Sequence, residues 1–228
     1  MAKRKASSAP IAPQVDFVSD FVCPWCWLGY AQFRAAAKGA RPAPELTFRP
    51  YLLDPTVPDA GVDNRAYMAA KFGEGAKDKF EAARTTLREL GEPFGITFNF
   101  DQIALRPQSL FAHRLMRWVQ SEDPAVAGDV AEAIFRAFHE QARDIGSPDV
   151  LADIAAEAGL DRDAARAVFD DDADKLAIMQ EVQFFRGLGV SGVPTFIYNG
   201  QFAIQGAQPP DAHRKAFAEA RKQQPLSD

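Results

Sequence analysis

Gln14-Val15-Asp16-Phe17-Val18-Ser19-Asp20-Phe21-Val22-Cys23-Pro24-Trp25-Cys26-Trp27-Leu28-Gly29-Tyr30-Ala31-Gln32-Phe33-Arg34 passes from a strand-like apolar run, Gln14 to Ser19, to an amphipathic helix-like run that begins at Trp27. Between them stands Cys23-Pro24-Trp25-Cys26, which holds the only two cysteines in 228 residues. A dicysteine at a strand-to-helix turn is the pattern of a thiol redox site.

The chemistry follows from the position. Cys23 falls at the N-cap of the expected helix, where unpaired backbone N–H groups and the positive end of the helix dipole favour a thiolate, so it is the candidate nucleophile. Pro24 suits the first helical turn, because the N–H it lacks is one the helix leaves unpaired and its φ is preset. Cys26 returns to the same helix face three residues later, within reach of a disulfide, and is the candidate resolving thiol. Trp25 adds no charge between the sulfurs, so the pair is expected to be less oxidising than one with histidine there, and its ring is expected to be exposed. The competing structural reading is a pair of core cysteines or half a zinc site. Zinc usually takes four ligands, and His113, His139 and His213 do not lie at ligand spacing, so no metal is expected.

A second motif lies near the other end of the chain. Gly189-Val190-Ser191-Gly192-Val193-Pro194-Thr195-Phe196-Ile197-Tyr198 reads as a proline loop entering a β-branched and aromatic strand; Asn199-Gly200 is a hairpin turn and Gln201-Phe202-Ala203-Ile204 the returning strand. By itself Pro194 reads equally well as the start of an edge strand in trans.

Taken together, Asp20-Phe21-Val22-Cys23-Pro24-Trp25-Cys26, Phe138-His139-Glu140-Gln141-Ala142-Arg143-Asp144-Ile145-Gly146, and Ser191-Gly192-Val193-Pro194-Thr195-Phe196 through Gly206-Ala207-Gln208-Pro209-Pro210 resemble the FrnE-like branch of the DsbA family. The resemblance covers nearly everything after the first dozen residues. It implies an α/β thioredoxin-like fold with an inserted helical domain, thiol-disulfide oxidoreductase activity, and a cis Val193-Pro194 bond whose backbone receives the substrate beside the dicysteine. Related enzymes place an amide-bearing residue where Gln108 stands, facing the active cleft. Several thioredoxin-like proteins have a buried acid six residues before the first cysteine; here that position is Phe17.

Residues 1–13 are positively charged without an apolar stretch and read as a disordered leader, not a secretory signal. The thioredoxin-like part is expected from 14–60 and 190–228, with the helical insertion over 61–189. No apolar run approaches the roughly 18 residues of a membrane span, and one cysteine pair is not a secreted disulfide scaffold. A cytoplasmic protein is expected. Its formal charge of −5 argues against nucleic acid or an anionic membrane as partner. Expected partners are disulfide-containing proteins or peptides, with glutathione as co-substrate or reductant and no bound cofactor; oligomeric state is not readable.

Within the chain, strands are expected at Gln14–Ser19 and Glu45–Leu52, turns over Asp54 to Gly61, and helices from about Asn64 to Gly189, broken by an extended or looped Gly95–Phe100. Ser147-Pro148 reads as an N-cap followed by proline at N1, Gly159 as a helix stop, and Pro209 to about Lys222 as the last helix. Asp20 is either a proton relay for the cysteines or an ordinary acid near a helix start. His113 and His139 read as surface or satisfied core residues and His213 as exposed. Asp170-Asp171-Asp172-Ala173-Asp174 reads as a solvated helix junction rather than a calcium loop. Trp27, Phe33, Phe184 and Phe185 read as core.

The mechanism these readings imply is disulfide exchange: Cys23 attacks a substrate disulfide and Cys26 resolves the mixed disulfide. The rival class is a glutathione-dependent isomerase or transferase of the 2-hydroxychromene-2-carboxylate isomerase or kappa-class type, which is similar in architecture. Those enzymes usually have serine where Cys23 stands, and Ser-Asp or Gln-Asp where this chain has Ala207-Gln208 after Gly206. Both departures count against it.

Overall fold

In the computed structural model, which describes residues 11–73 and 77–223, the chain opens with β1 (Gln14–Ser19), α1 (Pro24–Ala37) and β2 (Glu45–Pro50). β1 and β2 pair in parallel from Gln14 opposite Glu45 to Ser19 opposite Pro50, and α1 makes the crossover between them. The expected second strand runs two residues too long. Pro50 and the turn after it end the ladder, although Tyr51 N–H still bonds Ser19 O at 2.9 Å.

The sheet is completed by β5 (Thr195–Tyr198) and β6 (Phe202–Gln205), giving the order β2-β1-β5-β6 with both late strands antiparallel to their neighbours. Asn199 (φ 51°) and Gly200 (φ 69°) both take the left-handed backbone that a tight two-residue hairpin needs. Asn199 also accepts from Gln14 N–H at 2.9 Å and donates to Ala220 O at 2.8 Å, joining the start of β1 to the end of α9 (Pro210–Ala220).

Strand alternation gives the sheet two covered faces. On one, Phe17 stacks on Phe196 at 4.5 Å and Tyr30 at 5.8 Å, with Phe33 and Phe217 behind, so α1 and α9 close that side. On the other, Val18 meets Tyr51, Phe185 and Val190, which brings α8 (Lys175–Gly187) against the sheet. Phe17 therefore sits at the centre of an aromatic cluster, where an acid would lack solvation.

Between β2 and β5 run α2 (Asn64–Phe72), α3 (Lys77–Gly91), α4 (Leu110–Glu122), α5 (Ala127–His139), α6 (Pro148–Glu157), α7 (Arg162–Ala167) and α8. Their ends follow local chemistry: Asp63, Ser147 and Asp161 each accept a backbone N–H from the first turn they cap, and Gly159 takes φ 89° after α6. The insertion is not purely helical. Val62–Asp63 (β3) pairs antiparallel with Leu105–Arg106 (β4), a contact between residues far apart in sequence and too short to leave a periodic signal. The insertion packs continuously with the sheet, since one cluster holds Phe17 and Trp27 together with Leu115 and Phe135. Residues 1–10 of the expected leader lie outside the described residues.

Three side-chain expectations are corrected. His213 is fully buried, receives the Tyr198 hydroxyl at Nδ1 (2.6 Å), and meets the rings of Phe33 and Phe196. Phe184 is 60% exposed while Phe185 is buried, because only one of two adjacent helical residues faces the sheet. The acidic run does more than solvate a junction. The buried guanidinium of Arg114 bonds Asp174 at 2.6 Å and the carbonyls of Val168 and Asp171.

Burial lowers the His213 pKa from 6.5 to about 4. The unfolded chain therefore takes up this proton first as pH falls: the stabilising contribution is complete above pH 6.5 and is lost as pH drops through 4. On the scale of 1.36 kcal/mol per pKa unit it amounts to about 3 kcal/mol. His213→Gln should flatten the decline of urea-unfolding stability between pH 6.5 and 4 relative to wild type; equal slopes would contradict this assignment.

Candidate active site

Cys23 is the N-cap of α1 (φ −94°, ψ 113°), with Pro24 in the first turn as the sequence implies. Its carbonyl accepts the N–H groups of Cys26 (3.0 Å) and Trp27 (3.3 Å), and its own N–H bonds Asp20 O at 3.0 Å. Its side chain makes no capping hydrogen bond. Both thiols are free.

The two sulfurs lie in different surroundings. Cys23 is 5% exposed and lines a cleft of about 610 Å³; Cys26 is fully buried one turn along. Burial, reinforced by the hydrogen bond to Cys23 and the Cys23 charge, pushes the Cys26 thiol well above the ordinary range. Cys26 is thus held as a thiol behind a partner that borders the cleft, an asymmetry suited to ordered attack and resolution.

The Val193-Pro194 bond is cis, and the Val193 carbonyl oxygen lies 3.8 Å from Cys23 Sγ. The loop comes this close because of Gly29, a residue that motif reading overlooks. A Cβ there would stand 2.9 Å from Cγ of Pro194, well inside contact distance. A glycine on the buried face of a helix, against its propensity cost, was the available signal.

Asp20 is fully buried, and its two carboxylate oxygens accept from Val22 N–H (3.2 Å) and Leu53 N–H (2.7 Å). It clamps the segment before Cys23 to the chain after β2, and its backbone N–H also reaches Cys26. Gln108 is placed elsewhere. It is buried, donates to Val57 O and accepts from Leu110 N–H, and it does not line the cleft, because its amide is used to anchor the approach to α4. Trp25 is half-buried rather than exposed, since it leans on the core and forms cleft wall beside Pro24.

Two further residues line the cleft, His139, within one of the segments that carry the family resemblance, and Arg106, which belongs to none of them. His139 donates from Nε2 to Phe21 O at 3.0 Å; burial, with the nearby Arg106 charge, brings its pKa down to about 3 and keeps it neutral. Arg106, on β4, reaches Val22 O at 3.3 Å and faces the Tyr67 ring at 5.0 Å. Among the described residues no group of three or more metal-ligating side chains occurs, and no helix is long and apolar enough to cross a membrane.

Comparison with known proteins agrees with this geometry. Residues 14–218 match the DSBA-like thioredoxin domain family. The uncharacterized protein YwbO of Bacillus subtilis is 25% identical over 217 residues, covering 91% of this chain and 97% of YwbO. The probable DsbA oxidoreductase SCO1869 of Streptomyces coelicolor superposes with a TM-score of 0.82 at 25% identity, over 95% of this chain and 93% of that one. The cytosolic disulfide reductase DsbM of Pseudomonas aeruginosa, solved with GSH, shares the fold at TM-score 0.64 and 18% identity, over 92% and 98% of the two chains. The chain belongs to the DSBA-like thioredoxin domain family.

Two outcomes are expected. In the reduced protein at pH 7.5, iodoacetamide should alkylate Cys23 at least about tenfold faster than Cys26 measured in Cys23→Ser; equal rates would contradict the burial asymmetry. Gly29→Ala should push the Pro194 ring from α1 and slow reaction of Cys23 with a disulfide probe about tenfold or more, an estimate from the 10²-fold cost of a 1 Å misplacement, while the fold persists by circular dichroism. An unchanged rate would show that the loop position is immaterial.

Proposed function

We propose that this member of the DSBA-like thioredoxin domain family is a thiol-disulfide oxidoreductase that works as a reductase or isomerase through its Cys-Pro-Trp-Cys dithiol. The observation that carries the reading is Cys23, 5% exposed at a helix N-terminus and lining the cleft, its sulfur 3.8 Å from the Val193 carbonyl, with Cys26 fully buried behind it. Cys23 thiolate attacks one sulfur of the client disulfide and expels the other as a thiolate, which takes up a proton. Cys26 then loses its proton, attacks the Cys23 sulfur and releases the second client thiol, leaving a Cys23–Cys26 disulfide. The client lies over the Val193-Pro194 backbone as an added strand.

A reducing compartment with glutathione as reductant fits a dithiol that consumes client disulfides. Against a cytosolic poise of about −220 to −320 mV, a pair near −270 mV exchanges in both directions, whereas one near −120 mV is held reduced. The uncharged Trp25 supports the more reducing alternative. The similarity to DsbM, a cytosolic disulfide reductase, is compatible with this assignment.

The test is equilibration across glutathione redox buffers, with the cysteines followed by alkylation shift. A reversible two-electron transition is expected, absent in either single-cysteine variant. Cys26→Ser should accumulate a mixed disulfide with client while Cys23→Ser forms none. Should no intramolecular disulfide form at any poise, the oxidoreductase reading fails and glutathione-dependent isomerisation becomes the alternative.

A further inference from the structure

Beyond the Ser191–Val193 edge, the cleft in front of Cys23 is walled mainly by apolar side chains. Its far wall, contributed by α2, α3, the end of α5 and the 3-10 turn Phe100–Gln102, includes Met68, Phe72, Phe80, Leu87, Phe100 and Phe138. At about 610 Å³ it has the size and mainly apolar lining of a small-molecule site. Phe72 is 45% exposed at its mouth, apolar surface available to an incoming group.

The cations of this cleft are not equivalent. Lys71 lies 3.6 Å from Asp54, and Arg84 pairs with Glu81 and Asp101. Arg106 is only 8% exposed, yet among the described residues no carboxylate lies within ion-pair distance of it. Of its five N–H donors a single hydrogen bond is made, to the carbonyl of Val22, the residue before the nucleophile. None of its nitrogens is sealed from solvent without a partner, so the remaining donors open toward the cleft that Arg106 lines. The neighbouring His139 stays neutral and cannot supply a competing positive charge. A guanidinium this deep, with free donors and no counter-ion among the described residues, is matched by a carboxylate that arrives with the ligand.

We propose that the cleft selects a small amphipathic disulfide, an aromatic or branched apolar body bearing a carboxylate, with the carboxylate on Arg106 and the apolar body against the Met68, Phe80 and Phe100 wall. This rests on the oxidoreductase reading and names its substrate class. The electron balance is that of simple exchange: the enzyme dithiol and one disulfide become the enzyme disulfide and two small thiols, and an added dithiol reductant returns the enzyme to its starting state. Arg106 determines specificity by pairing with the substrate anion, and takes no electrons or protons in the exchange.

Three probes discriminate: bis(4-carboxyphenyl) disulfide, its bis-carboxamide, and glutathione disulfide, each reduced by the full-length protein with dithiothreitol as electron source. Wild type should show kcat/KM about tenfold or more higher for the aromatic acid than for either other probe, after correction for the uncatalysed rates. Arg106→Met should cut the acid-to-amide ratio of kcat/KM about tenfold, chiefly through KM, and Arg106→Lys should restore part of it. A purely structural role for Arg106 would lower both rates together and leave the ratio where it was, which would overturn the inference. So would a wild-type preference for the amide or for glutathione disulfide. Because the wild-type ratio is informative alone, poor folding of a variant does not remove the test. If none of the three disulfides is reduced while the Cys23–Cys26 disulfide still forms reversibly in glutathione buffers, this inference falls and the oxidoreductase reading stands; if that disulfide does not form either, both fall.

Discussion

The close approach of Pro194 to the first turns of α1 is the constraint on which the site depends. It sets the Val193 carbonyl 3.8 Å from Cys23 Sγ, and it exists because Gly29 has no Cβ to occupy the space the proline ring needs. The two segments are brought together across some 165 residues by pairing of β1 with β5. Anything that loosens that pairing moves the carbonyl relative to the sulfur, so the sheet registers the two halves of the active site as well as forming part of the core.

That registration is made rigid by the aromatic cluster around Phe17. Its ring touches Tyr30 from α1, Phe48 from β2 and Phe196 from β5, so a single side chain senses the position of three elements. Asp20 adds a polar counterpart three residues later, binding the backbone of Val22 and Leu53. Buried polar groups with their hydrogen bonds satisfied hold one arrangement more strictly than apolar packing alone. Cys23 therefore leaves a fixed segment and enters a fixed helix.

The insertion has a different role. It does not contribute to the dithiol, but α2, α3, α5 and β4 build the cleft that opens over it. The placement of Arg106 on a two-residue strand, pinned by β3, brings a buried cation to the carbonyl of Val22, the residue before Cys23. The dithiol and most of the cleft wall are thus located on separate parts of the chain, which allows the second to vary without disturbing the first.

Much was readable from the sequence alone where local rules dominate. The strand, the proline-started helix with Cys23 as its cap, the Asn199-Gly200 hairpin and the Ser147 cap each depend on residues within a few positions of one another, and the structure has them there. The family resemblance supplied the thioredoxin-like architecture and the cis proline, which spacing alone does not give. What only the tertiary structure decided are the long-range matters: His213 buried against Tyr198, Gln108 spent on Val57, Arg106 and His139 in the cleft wall, and Gly29 under Pro194. The physical reason is that burial, partner and pKa are properties of contacts between distant segments, whereas periodicity and capping record only what a residue shares with its neighbours along the chain.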